Sequence, residues 1–151
     1  KLVLITNAAY LARPEVREAL SLLDENNGEI WAKLDAGTEA SFQRVNRSSV
    51  TLAQVLHNIL DAARVRPVVI QSLWMRLDGE PPSDAEVVAF CARLEGLRAA
   101  GGHVKSIQLY TVARRPAELS VVPLSHAELD RVAGLVRDRV PVPVEVFYGV
   151  A

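Results

Sequence analysis

The segment IWAKLDAG, residues 30–37, places a lysine and an aspartate inside an otherwise apolar run. If this run is a β-strand, Lys33 and Asp35 point to the same face, because side chains alternate between the two faces of a strand. A buried charge without a partner costs several kcal/mol. The pair therefore indicates either a mutually satisfied ion pair or a polar surface where a ligand binds.

Two further apolar runs are interrupted at a similar depth, one by Gln71 and the other by Gln108. Together with Lys33 they predict a polar row across three neighbouring strands. Asp35 and Tyr110 lie two residues nearer the carboxyl ends of their strands. The row favours a wet cavity that binds a ligand; the alternative is a satisfied Lys–Gln–Gln–Asp network that only shapes the core.

Short β-branched runs alternate with amphipathic helical patterns along the whole chain. The predicted strands are 2–6, 29–34, 67–74, 104–112 and 143–148. The predicted helices are 13–25, 51–64, a third from the Ser83 cap to Gly101, and a fourth from the Ser125 cap. This order predicts one α/β domain over residues 1–151, with parallel strands joined by right-handed crossovers.

In parallel α/β folds the binding site lies at the carboxyl ends of the strands. Polar residues concentrate there in this sequence, at Asn7, Asp35, Arg76, Tyr110 and Arg114. The segments that follow these strand ends are also the long ones, whereas the returns to the next strand are short. One edge of the sheet is therefore predicted to carry the function.

The composition narrows the classes of function. A formal net charge of -1 gives no electrostatic support for a surface that binds nucleic acid. The single cysteine, Cys91, excludes an intramolecular disulfide and a metal site built from cysteines, and it is compatible with a cytoplasmic protein. No apolar run approaches the roughly 18 residues of a membrane span, so no membrane association is expected. The chain starts within an apolar strand and without Met, and we expect it to be a piece of a longer protein.

Four segments resemble the third to sixth strand regions of radical S-adenosylmethionine (SAM) enzymes: LVLITNAAYLARPEV, WAKLDAGTEASFQRVNR, VVIQSLWMR and VKSIQLYTVARRPAE. They are most similar to the iron–sulfur oxidoreductase-like subgroup related to the wyosine-forming enzymes of tRNA. The resemblance implies the C-terminal portion of a partial (β/α)6 TIM-like barrel. The family's CxxxCxxC loop, which holds a [4Fe–4S] cluster, and its Gly-Gly-Glu-Pro segment are absent, and Ala8 stands where the family prefers Gly.

The resemblance implies a fragment of an enzyme that cleaves SAM to a 5′-deoxyadenosyl radical, inactive alone, with SAM and the [4Fe–4S] cluster as cofactors of the parent protein. Its substrate would be a small molecule or RNA. The implied SAM-contacting residues are Asn7, Asp35, Gln71, Tyr110 and Arg114, and the implied substrate-facing residues are Lys33, Gln108 and Arg76. No residue is assigned a catalytic or metal-binding role.

Two alternatives use the same fold. The chain could be a non-catalytic α/β module that binds a nucleotide or sugar phosphate at the same edge, or a domain that only packs against a partner. In either the fragment or the packing domain, strand 2–6 lacks a neighbour on one side. Unpaired strand edges template association with other chains. We therefore expect self-association through the edge of strand 2–6.

Overall fold

The computed structural model describes residues 1–149. In chain order its elements are β1 (Val3–Thr6), α1 (Pro14–Glu25), β2 (Glu29–Lys33), α2 (Glu39–Asn46), α3 (Leu52–Val65), β3 (Val68–Leu73), β4 (Met75–Leu77), α4 (Asp84–Ala99), β5 (Val104–Tyr110), β6 (Val121–Pro123), α5 (His126–Arg139) and β7 (Val144–Phe147). All five predicted strands are present, each within two residues of its predicted ends, and the four predicted helices are present too.

The main sheet has the order β1-β2-β3-β5-β7, and every pairing in it is parallel. Each crossover therefore moves one strand further in the same direction. Since such crossovers are right-handed, the helices all lie on the same face of the sheet. This is the arrangement of part of a TIM-like barrel, with the helices outside, and it confirms the predicted fold class.

The hydrophobic core lies between the sheet and its helices. Ile30, Ile70 and Ile107 point from three adjacent strands into this layer and are fully buried. The helices meet them with apolar residues at helical spacing, which are Val55 and Ile59 of α3, Phe90 and Leu94 of α4, and Leu129 and Val132 of α5. Burial of such side chains contributes about 1.5–3 kcal/mol each. The sequence pattern that predicted the helices therefore also forms the core.

The opposite face of the sheet, here called the open face, carries Trp31, Lys33, Gln71, Gln108 and Tyr110. Within residues 1–149, no helix packs on it. At its edges β1 and β7 expose apolar side chains, with Ile5 at 55% and Phe147 at 48% of full exposure. Parallel sheets are normally covered on both faces. On this face Lys33, Gln71 and Tyr110 are partly exposed, whereas Gln108 is only 7% exposed beneath its neighbours. The partly exposed side chains of the open face are therefore available to a ligand or to another polypeptide segment.

The sequence did not predict the two-stranded antiparallel ribbon formed by β4 and β6, which pairs Met75 with Pro123 and Leu77 with Val121. Strands of three residues, one of them ending in proline, carry no alternating pattern long enough to detect. Hydrophobic periodicity also did not predict the helix α2, because it has only eight residues within the long segment that follows the second predicted strand. Both elements lie just beyond carboxyl ends of strands.

Gly37 allows the turn after β2 to approach α4 directly. A Cβ atom at Gly37 would lie 2.1 Å from the backbone nitrogen of Phe90. We expect Gly37→Ala to lower the free energy of unfolding by about 3 kcal/mol, because neither backbone can yield without disturbing the core. The matched control is Gly134→Ala in α5, where a Cβ meets nothing within 4 Å.

The control should raise stability by about 0.5–1 kcal/mol, since alanine favours helix over glycine. Urea unfolding followed by circular dichroism measures both variants. Equal effects of the two substitutions would show that Gly37 does not pack against α4 as described.

Candidate functional site

The strand register places the polar residues of the open face side by side. Lys33 lies opposite Gln71, and Gln71 lies opposite Gln108. The Gln71 side-chain amide donates a hydrogen bond to the Gln108 side-chain oxygen at 3.3 Å. Glu145 of β7 continues the row, because it lies opposite Gln108. The row therefore crosses four strands, one more than the sequence predicted.

Asp35 lies two residues beyond β2 at the carboxyl edge of this row, and only 5% of its surface is exposed. Its Oδ1 atom accepts a hydrogen bond from the backbone N–H of Leu73 at 2.8 Å. Its Oδ2 atom accepts one from the Asn46 side chain at 3.2 Å. The Lys33 ammonium lies 3.8 Å from the same oxygen, with its side chain 33% exposed. The carboxylate is thus held by β3, by the end of α2 and by its own strand.

The pKa values in this cluster depend on burial and on the neighbouring charges, for Lys33, Asp35 and Tyr110 alike. Burial raises the pKa of Asp35, although the Lys33 charge and the two hydrogen bonds oppose this effect. Burial alone would lower the pKa of Lys33, but the Asp35 carboxylate and the Tyr110 hydroxyl outweigh it and raise that pKa. Burial and the nearby Asp35 charge raise the pKa of Tyr110. At neutral pH the site thus presents an ammonium group and a phenolic hydroxyl, both of which donate hydrogen bonds.

The structure supports both interpretations that the sequence left open, an ion pair and a polar surface that can bind a ligand. Lys33 and Asp35 form an ion pair, yet at 3.8 Å it is longer than a charge-assisted hydrogen bond, which is about 2.7–2.9 Å. One third of the Lys33 side chain remains accessible on the open face. Lys33 can therefore contact a ligand without leaving Asp35.

Asn7, Arg76 and Arg114 lie apart from this cluster. Asn7 is exposed just after β1, and its Oδ1 atom accepts from the Ala9 N–H at 3.1 Å. Arg76 in β4 forms an ion pair with Glu128 and donates to the Gly79 carbonyl at 2.6 Å. Arg114 is exposed in the segment after β5. Of the eight residues proposed from the sequence, the structure brings together Lys33, Asp35, Gln71, Gln108 and Tyr110.

Ala8 follows Asn7 and adopts a φ of 64°, in the left-handed region that favours glycine. The resemblance had identified this position as one where glycine is usual. The Asn58 side-chain amide donates to the Ala8 carbonyl at 2.9 Å and to the Ala9 carbonyl at 3.0 Å. These two hydrogen bonds from α3 hold the turn in this conformation.

A second polar cluster, not identified from the sequence, closes the amino-terminal end of the open face. The Glu29 carboxylate lies 2.8 Å from the Lys1 ammonium and 2.6 Å from the Lys105 ammonium. It also accepts a hydrogen bond from the Trp31 indole at 3.1 Å. These hydrogen bonds, first from Lys1 and then from Lys105, lower the pKa of Glu29 to about 2. Because Lys105 and Glu29 are 76 residues apart, no local sequence pattern could have revealed the cluster.

The described residues do not fit a [4Fe–4S] cluster. Among residues 1–149, no group of three or more His, Cys, Asp and Glu side chains is arranged to hold a metal ion. Cys91 is buried in α4 with its sulfur 3.9 Å from the Leu135 carbonyl, and burial raises the pKa of its thiol. Its role is therefore core packing. None of the helices in this part of the chain is both long and apolar enough to cross a membrane.

Comparison with known proteins shows what the fold is similar to. No protein-family model matches the sequence, and no curated protein matches it. Among solved structures, a radical SAM methyltransferase from Sphaerobacter thermophilus is similar, with a TM-score of 0.67 and 17% sequence identity. The match covers 97% of this chain and 40% of that chain. This chain has the fold of part of that enzyme.

Glu29 makes the stability of the protein depend on pH in the acid range. Its pKa is lowered from 4.5 to about 2, so its contribution is present above pH 4.5 and is lost as the pH falls toward 2. Since both lysines are about half exposed, we expect a contribution of about 1–2 kcal/mol. Chemical denaturation between pH 2 and pH 6 should show this loss in the wild type but not in Glu29→Gln. Equal pH profiles for the two proteins would contradict the assignment.

Removing the Lys33 charge leaves the buried Asp35 carboxylate without its cation. We expect Lys33→Met to destabilise the protein by about 1–3 kcal/mol at pH 7, less than for a fully buried pair because Lys33 is partly exposed. The loss should shrink as the pH falls, since Asp35 then takes up a proton. In the Asp35→Asn background, where the Leu73 N–H keeps an acceptor, the same substitution should cost little. A Lys33→Met effect that is identical in both backgrounds would show that the two side chains do not interact.

Proposed function

We propose that this chain supplies part of the SAM site and part of the substrate-facing wall of a radical SAM enzyme. The observation that carries the proposal is the open face, a polar row on a parallel sheet that contains Lys33 and has Asp35 and Tyr110 at its carboxyl edge. Binding sites of parallel α/β folds lie at this edge. The likeness of the fold to part of a radical SAM methyltransferase supports the same function.

The side chains of the row complement the groups that SAM carries. Lys33 stays protonated and can pair with a carboxylate, and the Tyr110 hydroxyl can donate to a ribose or carboxylate oxygen. The partly exposed Gln71 amide offers both a donor and an acceptor to hydroxyl and amino groups, and the buried Gln108 oxygen accepts from Gln71 and so orients it. Asp35 orients Lys33 and, through the Leu73 N–H, fixes the end of β3. When bound, SAM would supply the radical chemistry, and these residues would orient it and the substrate.

In this proposal the cluster ligands lie outside the present sequence, because its one cysteine is buried in the core. The chain alone is then inactive. On the strength of the four segments quoted above, we assign the parent protein to the iron–sulfur oxidoreductase-like subgroup similar to the wyosine-forming enzymes.

Titration of the ¹⁵N-labelled chain with SAM tests the site directly. We expect saturable shifts of the Gln71 and Gln108 side-chain amide signals in two-dimensional NMR spectra. Lys33→Met should weaken binding about tenfold, because it removes a charge-assisted hydrogen bond. The matched control Lys105→Met removes a lysine that pairs with Glu29 and should change the affinity less than about twofold. Shifts confined to residues outside the open face, or equal effects of the two variants, would refute the assignment.

The activity itself requires the natural protein that contains these residues. Purified anaerobically and reconstituted with iron and sulfide, it should convert SAM to 5′-deoxyadenosine in the presence of a reductant. Reconstituted protein that binds SAM but forms no 5′-deoxyadenosine would favour the non-catalytic binding module instead.

A further inference from the structure

The polar row of the open face ends at Glu145 of β7, whose carboxylate has no counter-ion within residues 1–149. The other charged groups on this face are paired there: the Glu29 carboxylate binds two lysines, and Lys33 pairs with Asp35. Glu145 is exposed, and its side chain forms neither an ion pair nor a hydrogen bond in the part of the chain that the structure describes. A ligand can therefore reach this carboxylate, and its charge is not yet balanced.

The cations nearest to β7 are directed away from Glu145. The Lys105 ammonium extends from β5 to Glu29 in β2, away from β7 in the strand order. Lys33 also belongs to β2, three strand spacings or about 14 Å from β7. Arg137 of α5 donates to the Val144 carbonyl at 3.0 Å, from the helix-covered side of the sheet. None of these three cations therefore neutralises Glu145.

An exposed aromatic ring lies next to this carboxylate. Because side chains alternate along β7, Phe147 lies on the same face as Glu145, about 7 Å further along the strand. The Phe147 ring is 48% exposed. The next residue, Tyr148, belongs to the other face, where its hydroxyl donates to Asp130 of α5. An ammonium group between Glu145 and Phe147 would lie within about 6 Å of the ring, the range of a cation–π interaction.

The combination of a carboxylate and an exposed ring selects one class of ligand. An anion would be repelled by Glu145. A divalent metal ion needs several oxygen ligands, and no group of acidic side chains within residues 1–149 supplies them. An organic ammonium ion, in contrast, can pair its charge with Glu145 and place its apolar carbon atoms against Phe147. An amine is therefore the ligand that both side chains fit.

We propose that Glu145 and Phe147 bind the ammonium group of an amine substrate at the β7 end of the open face. The inference rests on the proposed function, because it names the class of substrate that the same wall takes. SAM occupies the β2 end of the row, where Lys33 pairs with its carboxylate, and the amine occupies the other end. Neither Glu145 nor Phe147 has a role in the SAM site described above.

Titration of the ¹⁵N-labelled chain with n-butylamine, which is protonated at neutral pH, tests this inference. The backbone N–H signals of Glu145 and Phe147 should shift saturably, with half-saturation at roughly 10 mM for a ligand of about five non-hydrogen atoms. n-Butanol should bind at least about threefold more weakly, and butyrate should leave both signals in place. Glu145→Gln, followed on the Phe147 signal, should weaken binding of the amine about fivefold. Phe147→Leu, followed on the Glu145 signal, should weaken it about threefold.

The matched control is Glu18→Gln, which removes another exposed carboxylate from α1 and should leave the affinity unchanged. Equal shifts with n-butanol, or a Glu145→Gln variant that binds the amine as tightly as the wild type, would overturn the inference. Glu145 would then only protect the exposed edge of β7 from pairing with other chains. Displacement of the amine by SAM would also overturn it, because Glu145 would then belong to the SAM site.

The two proposals can fail separately, because SAM binding is followed on the Gln71 amide and on the effect of Lys33→Met. Amine shifts at Glu145 and Phe147 without SAM shifts at Gln71 would refute the SAM site and leave the amine site. SAM shifts at Gln71 without amine shifts would refute the amine site alone.

Discussion

Helix packing on a single face of the parallel sheet is the constraint on which the rest of the structure depends. Because the strands follow one another in sequence order across the sheet, every right-handed crossover places its helix on the same side. The residues facing the helices form a dry core, led by Ile30, Ile70 and Ile107. The residues facing the other way need no apolar character. This is why a lysine and two glutamines are tolerated in the middle of the sheet.

Asp35 connects the open face of the sheet with helix α2. Its carboxylate holds Lys33 on the open face, caps the Leu73 N–H at the end of β3, and accepts from Asn46 at the end of α2. It also lines a pocket of about 230 Å³ between α2, Trp74 and the start of α4. A buried carboxylate with these partners is costly to remove, since each partner would lose its acceptor. One residue therefore links the position of α2, the charge of Lys33 and the end of β3.

Local patterns were sufficient to predict the five main strands, their parallel order and the row formed by Lys33, Gln71 and Gln108. Each of these depends on alternation or helical spacing within a short window. The β4–β6 ribbon was missed because its strands have three residues each. The Glu29–Lys105 pair and the Trp74 pocket were missed because they depend on residues distant in sequence. Glu145 was also missed, although a local pattern could have predicted it. It interrupts an apolar strand just as Gln108 does.

The central claim is that the open face is accessible and binds SAM, and cysteine labelling tests it most directly. The only native cysteine is buried, so a single introduced cysteine gives a clean signal. Gln71→Cys, on the open face, should react quickly with a small maleimide, and SAM should slow the reaction. Ser72→Cys, on the fully buried helix-facing side, should react only on unfolding. Gln71→Cys that reacts as slowly as Ser72→Cys, or at a rate that SAM does not change, would contradict the account.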